Sequence, residues 1–151
     1  MFVINQLDPE YDVDRYLEVL SCLKQLTIVG NISKEDFWER WNLMNKSGLI
    51  KLLVIRDIGS GGGKIIGCGT LVIEPKFIHN MSYLGHIQDV VIDGNYRKKG
   101  LGKMLIDQLL KWARDFDCYK VVLDCHENNI EFYEKCGFTR RGAEMNCFFH
   151  D

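Results

Sequence analysis

The chain has 151 residues, 46% of them hydrophobic, which is enough to bury the core of one domain and gives no sign of a second. Its 19 basic and 21 acidic residues leave a net charge of -2, which argues against a nucleic acid or an anionic membrane as partner. No apolar run approaches membrane-spanning length, and acidic residues near the N-terminus stand where a signal sequence would be basic. We therefore expect a soluble, intracellular protein.

The first half of the chain predicts one strand, two helices and a hairpin. Phe2 to Asn5 reads as a short strand, and a helical stripe of apolar residues runs from Val13 to Leu23. Ser33, with Asp36 three positions on, predicts the start of a second helix that continues to Met44. Two further strands, Ile50 to Ile55 and Lys64 to Glu74, are predicted to pair as a hairpin.

The loop of that hairpin, residues 59–64, is rich in glycine and superficially similar to a phosphate-binding P-loop. Ile65 stands where such a loop needs the Ser or Thr that binds magnesium, and a strand follows instead of a helix. We therefore interpret residues 59–64 as a flexible turn.

The second half predicts a strand, a long helix, a second strand, a short helix and a last hairpin. The elements, in chain order, are Leu84 to Ile92, Leu101 to Phe116, Lys120 to Asp124, Asn129 to Cys136 and a hairpin-like segment from Phe138 to Phe149. No repeat or low-complexity linker interrupts them. The order of elements indicates an α/β (α+β) protein with a single domain over residues 1–151.

The six cysteines lie scattered through apolar stretches, with no Cys-x-x-Cys pair and no metal-like spacing to His. That pattern favours buried, reduced thiols, and reduced thiols are typical of the cytoplasm. His126-Glu127 lacks the second His of a zinc helix. The sequence therefore predicts no metal site.

The most informative segment is a strand that ends at Ile92 and leads, through a turn, into a basic, glycine-containing loop before a helix. Free backbone N–H groups at a helix N-terminus attract an anion, and the helix dipole adds roughly 0.3–1 kcal/mol. Gly100 and Gly102 let a ligand approach the backbone, and Arg97 and its neighbours add positive charge. The glycine order is not that of a dinucleotide fingerprint. We expect the loop to bind a pyrophosphate.

The motif Arg97-x-x-Gly100-x-Gly102, together with Asn129 and Tyr133 on a later short helix, resembles the GNAT superfamily of N-acetyltransferases. Longer segments are similar to its glucosamine-6-phosphate N-acetyltransferase family: residues 26–30, 76–79, 85–91, 100–107 and 118–125. The resemblance implies a mixed, mostly antiparallel sheet of about six to seven strands flanked by about four helices. It also implies a homodimer whose sites lie at the interface.

The resemblance implies acetyl-coenzyme A (acetyl-CoA) as co-substrate. The positions that match the family's coenzyme contacts are Gln88, Val90, Val91, Arg97, Lys98, Lys99, Gly100, Leu101, Gly102, Lys103, Asn129 and Tyr133. Asn129 could also cap the short helix, and the two roles are compatible.

For catalysis, the resemblance implies direct attack of an amine on the acetyl group, so no acyl-enzyme nucleophile is needed. The backbone N–H of Val90 would face the developing oxyanion, and Tyr133 would lie beside the leaving sulfur. Asp89 and Asp124 would contact the amine or hydroxyls of the acceptor. Without the family context, Tyr133 could simply pack its helix on the sheet, and the two acids could be solvated turn residues.

The acceptor implied by the resemblance is D-glucosamine 6-phosphate. The matching positions are Thr27, Lys76, Phe77, Ile78, His79, Gln88, Asp89 and Asp124. One departure stands out, because family members carry an arginine in the last strand where this chain has Phe148. Arg140 or Arg141 could compensate, the register could differ by a residue or two, or phosphate recognition could be altered.

We therefore predict transfer of an acetyl group from acetyl-CoA to D-glucosamine 6-phosphate, on the route to UDP-N-acetylglucosamine. Two alternatives remain open at this point: a GNAT enzyme for another small amine or a protein amine, and a CoA-binding module without turnover. The apolar tail with Met145, Phe148 and Phe149 would leave an exposed strand in a monomer, which supports the expected homodimer.

Overall fold

The computed structural model of the chain describes residues 1–59 and 62–150. Its five strands are β1 (Phe2–Gln6), β2 (Ile50–Asp57), β3 (Lys64–Pro75), β4 (Tyr83–Ile92) and β5 (Cys118–Val122). Its five helices are α1 (Tyr16–Lys24), α2 (Lys34–Lys46), α3 (Ile78–Met81), α4 (Leu101–Asp115) and α5 (Ile130–Lys135). Among these described helices, none is long and apolar enough to cross a lipid bilayer.

The strands form one sheet in the order β1-β2-β3-β4-β5. Neighbouring strands are antiparallel from β1 to β4, and β5 runs parallel to β4 after the α4 crossover. The parallel pairing extends only from Tyr83 opposite Cys118 to His86 opposite Val122. Beyond His86 the two strands separate, so the second half of β4 borders a wedge-shaped opening.

Both faces of the sheet carry a hydrophobic cluster. On one face α4 buries Leu101, Leu105, Ile106 and Leu109 against inward side chains of β2, β3 and β4. These positions recur every three or four residues, as the helical period predicts, and each fully buried Leu or Ile contributes about 1.5–3 kcal/mol. On the other face Val19 and Cys22 of α1 pack on β2 and β3. The two layers fix the position of β4 between them.

The segment before α1 is anchored to the sheet by one buried ion pair. Asp12 is 1% exposed and accepts bonds of 2.7 and 2.6 Å from both terminal nitrogens of Arg56. Burial alone would raise the pKa of Asp12, but the bonds from Arg56 and from the Asp8 N–H outweigh it, so the pKa is lowered. The carboxylate is therefore ionised and holds residues 8–15 on β2.

Most predicted elements are confirmed. The four strands before the long helix match within one or two residues, and the Ser33 side chain accepts a bond from the Asp36 N–H, as the capping signal predicts. The hairpin of β2 and β3 is present, although residues 60 and 61 of its glycine-rich loop lie outside the described residues. All six cysteines are free thiols, three of them buried.

The prediction was wrong at the C-terminus. Residues 139–150 form no strand, so the described sheet has five strands, not six to seven, and the one-turn α3 brings the helices to five, against about four. A strand needs a hydrogen-bonding neighbour, and in the single chain the tail is fully exposed. The fifth strand also ends at Val122, so Asp124 lies in the loop beyond it.

Candidate active site

The centre of the site is a bulge in β4. Cys68 pairs with Val91 and Thr70 with Gln88, so Gly69 alone stands opposite both Asp89 and Val90. Asp89 takes up the extra length with a left-handed φ of 52°, a conformation that Asp tolerates better than most residues. A bulge leaves its extra residue outside the regular pairing and bends the strand, so the backbone of residues 89 and 90 is not fully bonded to β3.

A cleft of about 570 Å³ fills the wedge-shaped opening between β4 and β5. Its lining includes six of the predicted site residues, namely Gln88, Asp89, Val90, Asp124, Asn129 and Tyr133. The structure therefore brings together residues from β4, the loop after β5 and α5. Val91, in contrast, is 5% exposed and belongs to the cluster under α1, so only its backbone could reach a ligand.

The predicted anion loop lies at the N-terminus of α4. Gly100 is the N-cap with φ 76°, no side chain caps the helix, and the first intrahelical bond runs from the Met104 N–H to the Gly100 carbonyl. The N–H groups of Leu101, Gly102 and Lys103 therefore have no intrahelical acceptor. A Cβ on Gly100 would meet no atom within 4 Å, so the space in front of this helix end is open.

Gly102 has a second role that the sequence did not reveal. A Cβ built on it would lie 3.1 Å from the Phe132 ring, so the missing side chain lets α5 pack closely on α4. This contact places α5, and with it Tyr133, beside the loop.

The basic side chains of the loop have different surroundings. Arg97 donates through Nε to the Ile92 carbonyl at 3.2 Å, and the Lys99 ammonium lies 5.8 Å from the centre of the Tyr96 ring. Lys103 pairs with Asp107 at 2.8 Å, and this hydrogen bond raises the pKa of the lysine. Lys98 has a left-handed φ of 63°. Three of these basic residues directly precede the uncapped helix, and Lys103 lies in its first turn.

A network behind the loop fixes its position. Gln25, at the C-terminus of α1, donates to the Asp93 carboxylate at 3.1 Å and accepts the Gly94 N–H at 2.8 Å. The other oxygen of Asp93 accepts the Asn95 N–H at 2.8 Å. The turn that leads from β4 into the loop is thus tied to the first helix. No local pattern in the sequence predicts this network, because Gln25 and Asp93 are far apart in the chain.

Tyr133 combines the two roles that the sequence left open. Its ring packs edge-on against Phe132 and Phe138, at centroid distances of 5.0 and 5.8 Å, and it also lines the cleft. Burial raises the pKa of Tyr133 to about 12, with further contributions from Cys125, Cys136 and Asp124. The phenol therefore stays protonated at neutral pH and can donate a hydrogen bond into the cleft.

Asn129 precedes α5 and lines the same cleft. Its side chain makes no capping hydrogen bond, so the alternative role as a helix cap is not realised in this structure. The Asn129 amide is therefore available to a ligand.

A second opening, a groove of about 980 Å³, adjoins the cleft and shares Asp124 and Tyr133 with it. Its lining also includes His86, Lys120, Arg140 and Arg141. His86 lies between two carboxylates: Nδ1 is 3.6 Å from Glu74 and Nε2 is 3.7 Å from Asp124. His86 and Glu74 were not among the predicted site residues, although His86 alternates with Gln88 along β4 and so faces the same side of the strand.

The predicted acceptor residues of the β3–β4 connection lie away from the cleft. Lys76 pairs with Glu74 at 3.5 Å, Phe77 is 87% exposed and Ile78 is 55% exposed. His79 has a left-handed φ of 50° and stacks on Tyr119 at 4.1 Å. Thr27 is exposed next to Leu26, which lines the cleft. Within the described single chain, the parts predicted to bind the acceptor are thus spread over a wider surface than the coenzyme parts.

Comparison with known proteins agrees with this geometry. The model of the acetyltransferase (GNAT) family matches residues 18–138, so the chain belongs to that family. GNAT acetyltransferases use acetyl-CoA.

Two relatives and one solved structure are similar to the chain over most of its length. The chain is 44% identical to glucosamine 6-phosphate N-acetyltransferase 1 of Dictyostelium discoideum, over 91% of this chain and 87% of that protein. It is 43% identical to the Candida albicans enzyme of the same activity, over 93% and 90% of the two chains. The crystal structure of glucosamine-6-phosphate N-acetyltransferase from Arabidopsis thaliana superposes with a TM-score of 0.91 at 34% identity, covering 99% of both chains.

Proposed function

We propose that the protein transfers the acetyl group of acetyl-CoA to the amine of D-glucosamine 6-phosphate, giving N-acetyl-D-glucosamine 6-phosphate and CoA. The observation that carries this proposal is the identity of 44% and 43%, over nearly the whole of both chains, to two enzymes named for that reaction. The cleft between β4 and β5, which Asp124, Asn129 and Tyr133 line, supports this proposal. In the cell, we expect the product to feed the synthesis of UDP-N-acetylglucosamine in the cytoplasm.

The residues around α4 fit the pyrophosphate of the coenzyme. The helix end is uncapped, the space before Gly100 is open, and Arg97, Lys98 and Lys99 precede it. Three backbone N–H groups without an intrahelical acceptor and the helix dipole favour an anion there, as in other phosphate sites. The Asn129 amide and the backbone of the β4 bulge would hold the rest of the coenzyme within the cleft.

When bound, acetyl-CoA supplies an acetyl group activated as a thioester. The backbone N–H of Val90 polarises its carbonyl oxygen, and loss of such a donor typically costs about 10²–10³ in rate. The protonated Tyr133 hydroxyl donates a hydrogen bond to the sulfur as the thiolate departs. Asp89 and Asp124 orient the amine. Direct attack needs no nucleophile from the protein.

The acceptor phosphate requires cations at the opposite end of the sugar. Lys76 and His79 supply them in this proposal, together with Arg140 or Arg141, which line the groove. Phe148 is 83% exposed and does not face the groove, so the arginine that the family resemblance leads one to expect has no counterpart at that position. The phosphate is therefore held by lysine, histidine and the arginines that precede the tail.

We further propose that the active form is a homodimer. Met145, Phe148 and Phe149 are 91%, 83% and 86% exposed, and β5 is an edge strand of the described sheet. Exposed apolar residues and an unpaired strand edge are both liabilities that association with a second copy removes. A mass of about one chain at micromolar concentration by light scattering would contradict this proposal.

The direct test of function is CoA release from acetyl-CoA, with D-glucosamine 6-phosphate and D-glucosamine compared side by side. The product mass is measured as well, because six protein thiols react with a thiol dye. We expect turnover with the phosphorylated sugar and little without the phosphate. Binding of acetyl-CoA without transfer to either sugar would instead indicate another amine or a non-catalytic role.

A further inference from the structure

Three ionisable side chains lie next to one another on the sheet face opposite α4, one each from β3, β4 and the loop after β5. His86 of β4 stands opposite Val72 of β3 and Val122 of β5, while Glu74 and Asp124 lie two positions further along their own segments. Such diagonal neighbours come within reach of long side chains. The result is an imidazole with one nitrogen toward each carboxylate, at 3.6 Å from Glu74 and 3.7 Å from Asp124.

We propose that His86 is a positioning residue that acts through Asp124: it holds this carboxylate toward the amine and accepts the proton that the amine sheds before attack. The inference rests on the proposed function, because it needs an ammonium group beside Asp124. An N–H bond of the ammonium breaks as an O–H bond forms on Asp124. That O–H bond then breaks as an N–H bond forms at Nε2 of His86. The imidazolium returns the proton to water, to which its side chain is 32% exposed.

A carboxylate alone serves this step poorly. A free aspartic acid has a pKa near 3.9, far from neutrality, whereas imidazole exchanges protons readily near pH 6.5, and general acid–base catalysis is most efficient close to the working pH. Glu74 adds a negative charge beside Nδ1, which favours the transient imidazolium.

Among the described residues, few charged side chains lie near the imidazole ring of His86. Lys76 pairs with the far oxygen of Glu74 at 3.5 Å, and Lys120 and Arg140 line the same groove. The two carboxylates are therefore the groups in direct ionic contact with the ring among the described residues. This arrangement also links Lys76, the proposed phosphate contact, to Asp124, the proposed amine contact, through one continuous row of charges.

The test compares His86→Gln with the wild-type protein. Glutamine keeps a polar side chain but takes up no proton, so kcat should fall by about 10²-fold while the KM for acetyl-CoA stays unchanged. The pH profile of kcat should differ between the variant and the wild-type protein, because glutamine takes up no proton. Lys111→Gln, at an exposed lysine of α4 outside the site, is the control substitution and should leave both quantities unchanged.

A double variant tests whether His86 works through Asp124. If it does, His86→Gln combined with Asp124→Asn should be no slower than Asp124→Asn alone. Multiplied losses, or a wild-type kcat and pH profile for His86→Gln, would overturn the inference. Should His86→Gln fail to fold, Glu74→Gln takes its place, with an expected loss of about tenfold, and a wild-type kcat there would count against the relay.

Kinetics of the wild-type protein distinguish a failure of this inference from a failure of the proposed function. No turnover of D-glucosamine 6-phosphate would refute the acceptor assignment, and the same variants would then be compared on whichever amine the wild-type protein acetylates. Because the relay takes its proton from any ammonium beside Asp124, a wild-type kcat for His86→Gln on that amine would refute the relay by itself.

Discussion

The residues proposed to bind the coenzyme, here called the coenzyme side of the cleft, are held in place differently from those proposed to bind the acceptor, the acceptor side. The coenzyme side consists of the β4 bulge, the loop before α4 and the start of α5, which are tied together by backbone bonds, by Gln25 and by the close contact of Gly102 with Phe132. The acceptor side exposes Phe77, Ile78 and the apolar tail. The residues proposed to bind the coenzyme therefore come together within one chain, whereas we expect the acceptor site to need a second copy.

The largest expected effect falls on the coenzyme side. Replacing Tyr133 by Phe keeps the ring that packs on Phe132 and Phe138 but removes the hydroxyl, so kcat should fall by about 10²-fold with little change in either KM. Steady-state kinetics with both substrates varied gives these values. Tyr11→Phe, at a tyrosine that is 89% exposed, is the matched control. Full activity of Tyr133→Phe would assign Tyr133 to packing alone.

On the acceptor side, Lys76→Gln should raise the KM for the phosphorylated sugar by about tenfold, because a charge-assisted hydrogen bond contributes roughly 1.5–3 kcal/mol. The KM for acetyl-CoA should not change. Lys111→Gln on the exposed side of α4, where the lysine pairs with Asp115 at 2.8 Å, controls for the loss of one positive charge. An unchanged KM for the sugar phosphate would remove Lys76 from the acceptor site and weaken the contrast between the two sides.

Asp89 lies where the two sides meet, and two substitutions separate its structural and chemical roles. Asparagine also tolerates the left-handed φ of 52°, so Asp89→Asn should keep the stability of the wild-type protein and lose activity only through the missing charge. Asp89→Ala should in addition lower the free energy of unfolding by about 1 kcal/mol. Urea unfolding with parallel kinetics measures both. Equal stability of the two variants would show that the bulge does not depend on this residue.

Local patterns in the sequence predicted much of the coenzyme side and little of the acceptor side. The period of α4, the Ser33 cap and the basic glycine loop depend on neighbouring residues, which is why they are legible in the sequence. The bulge at Asp89 depends on the register of β4 against β3, and the contacts of His86 depend on three segments at once. The tail was predicted as a hairpin because its residues favour strands, but a strand also needs a neighbour that the single chain does not provide.

The smallest expected effect tests whether the Tyr133 phenol on the coenzyme side is already buried in the free protein. The pKa of Tyr133 is raised from 10.0 to about 12, chiefly by burial, so between these values the unfolded chain gives up the phenol proton while the folded chain keeps it. The folded state then holds more protons than the unfolded state. Stability from this group is therefore complete below pH 10 and is lost as the pH rises toward 12.

Tyr133→Phe has no phenol to titrate, so it does not lose this stability. The difference in free energy of unfolding, variant minus wild type, should therefore rise by about 1 kcal/mol between pH 9 and pH 11. Urea unfolding at the two pH values measures the change, and all other ionisable groups are the same in both proteins. If the two proteins lost stability in parallel, the phenol would be open to water in the free chain. The coenzyme side would then close only when its ligand or a second copy binds, and the two sides of the cleft would differ less than their contacts suggest.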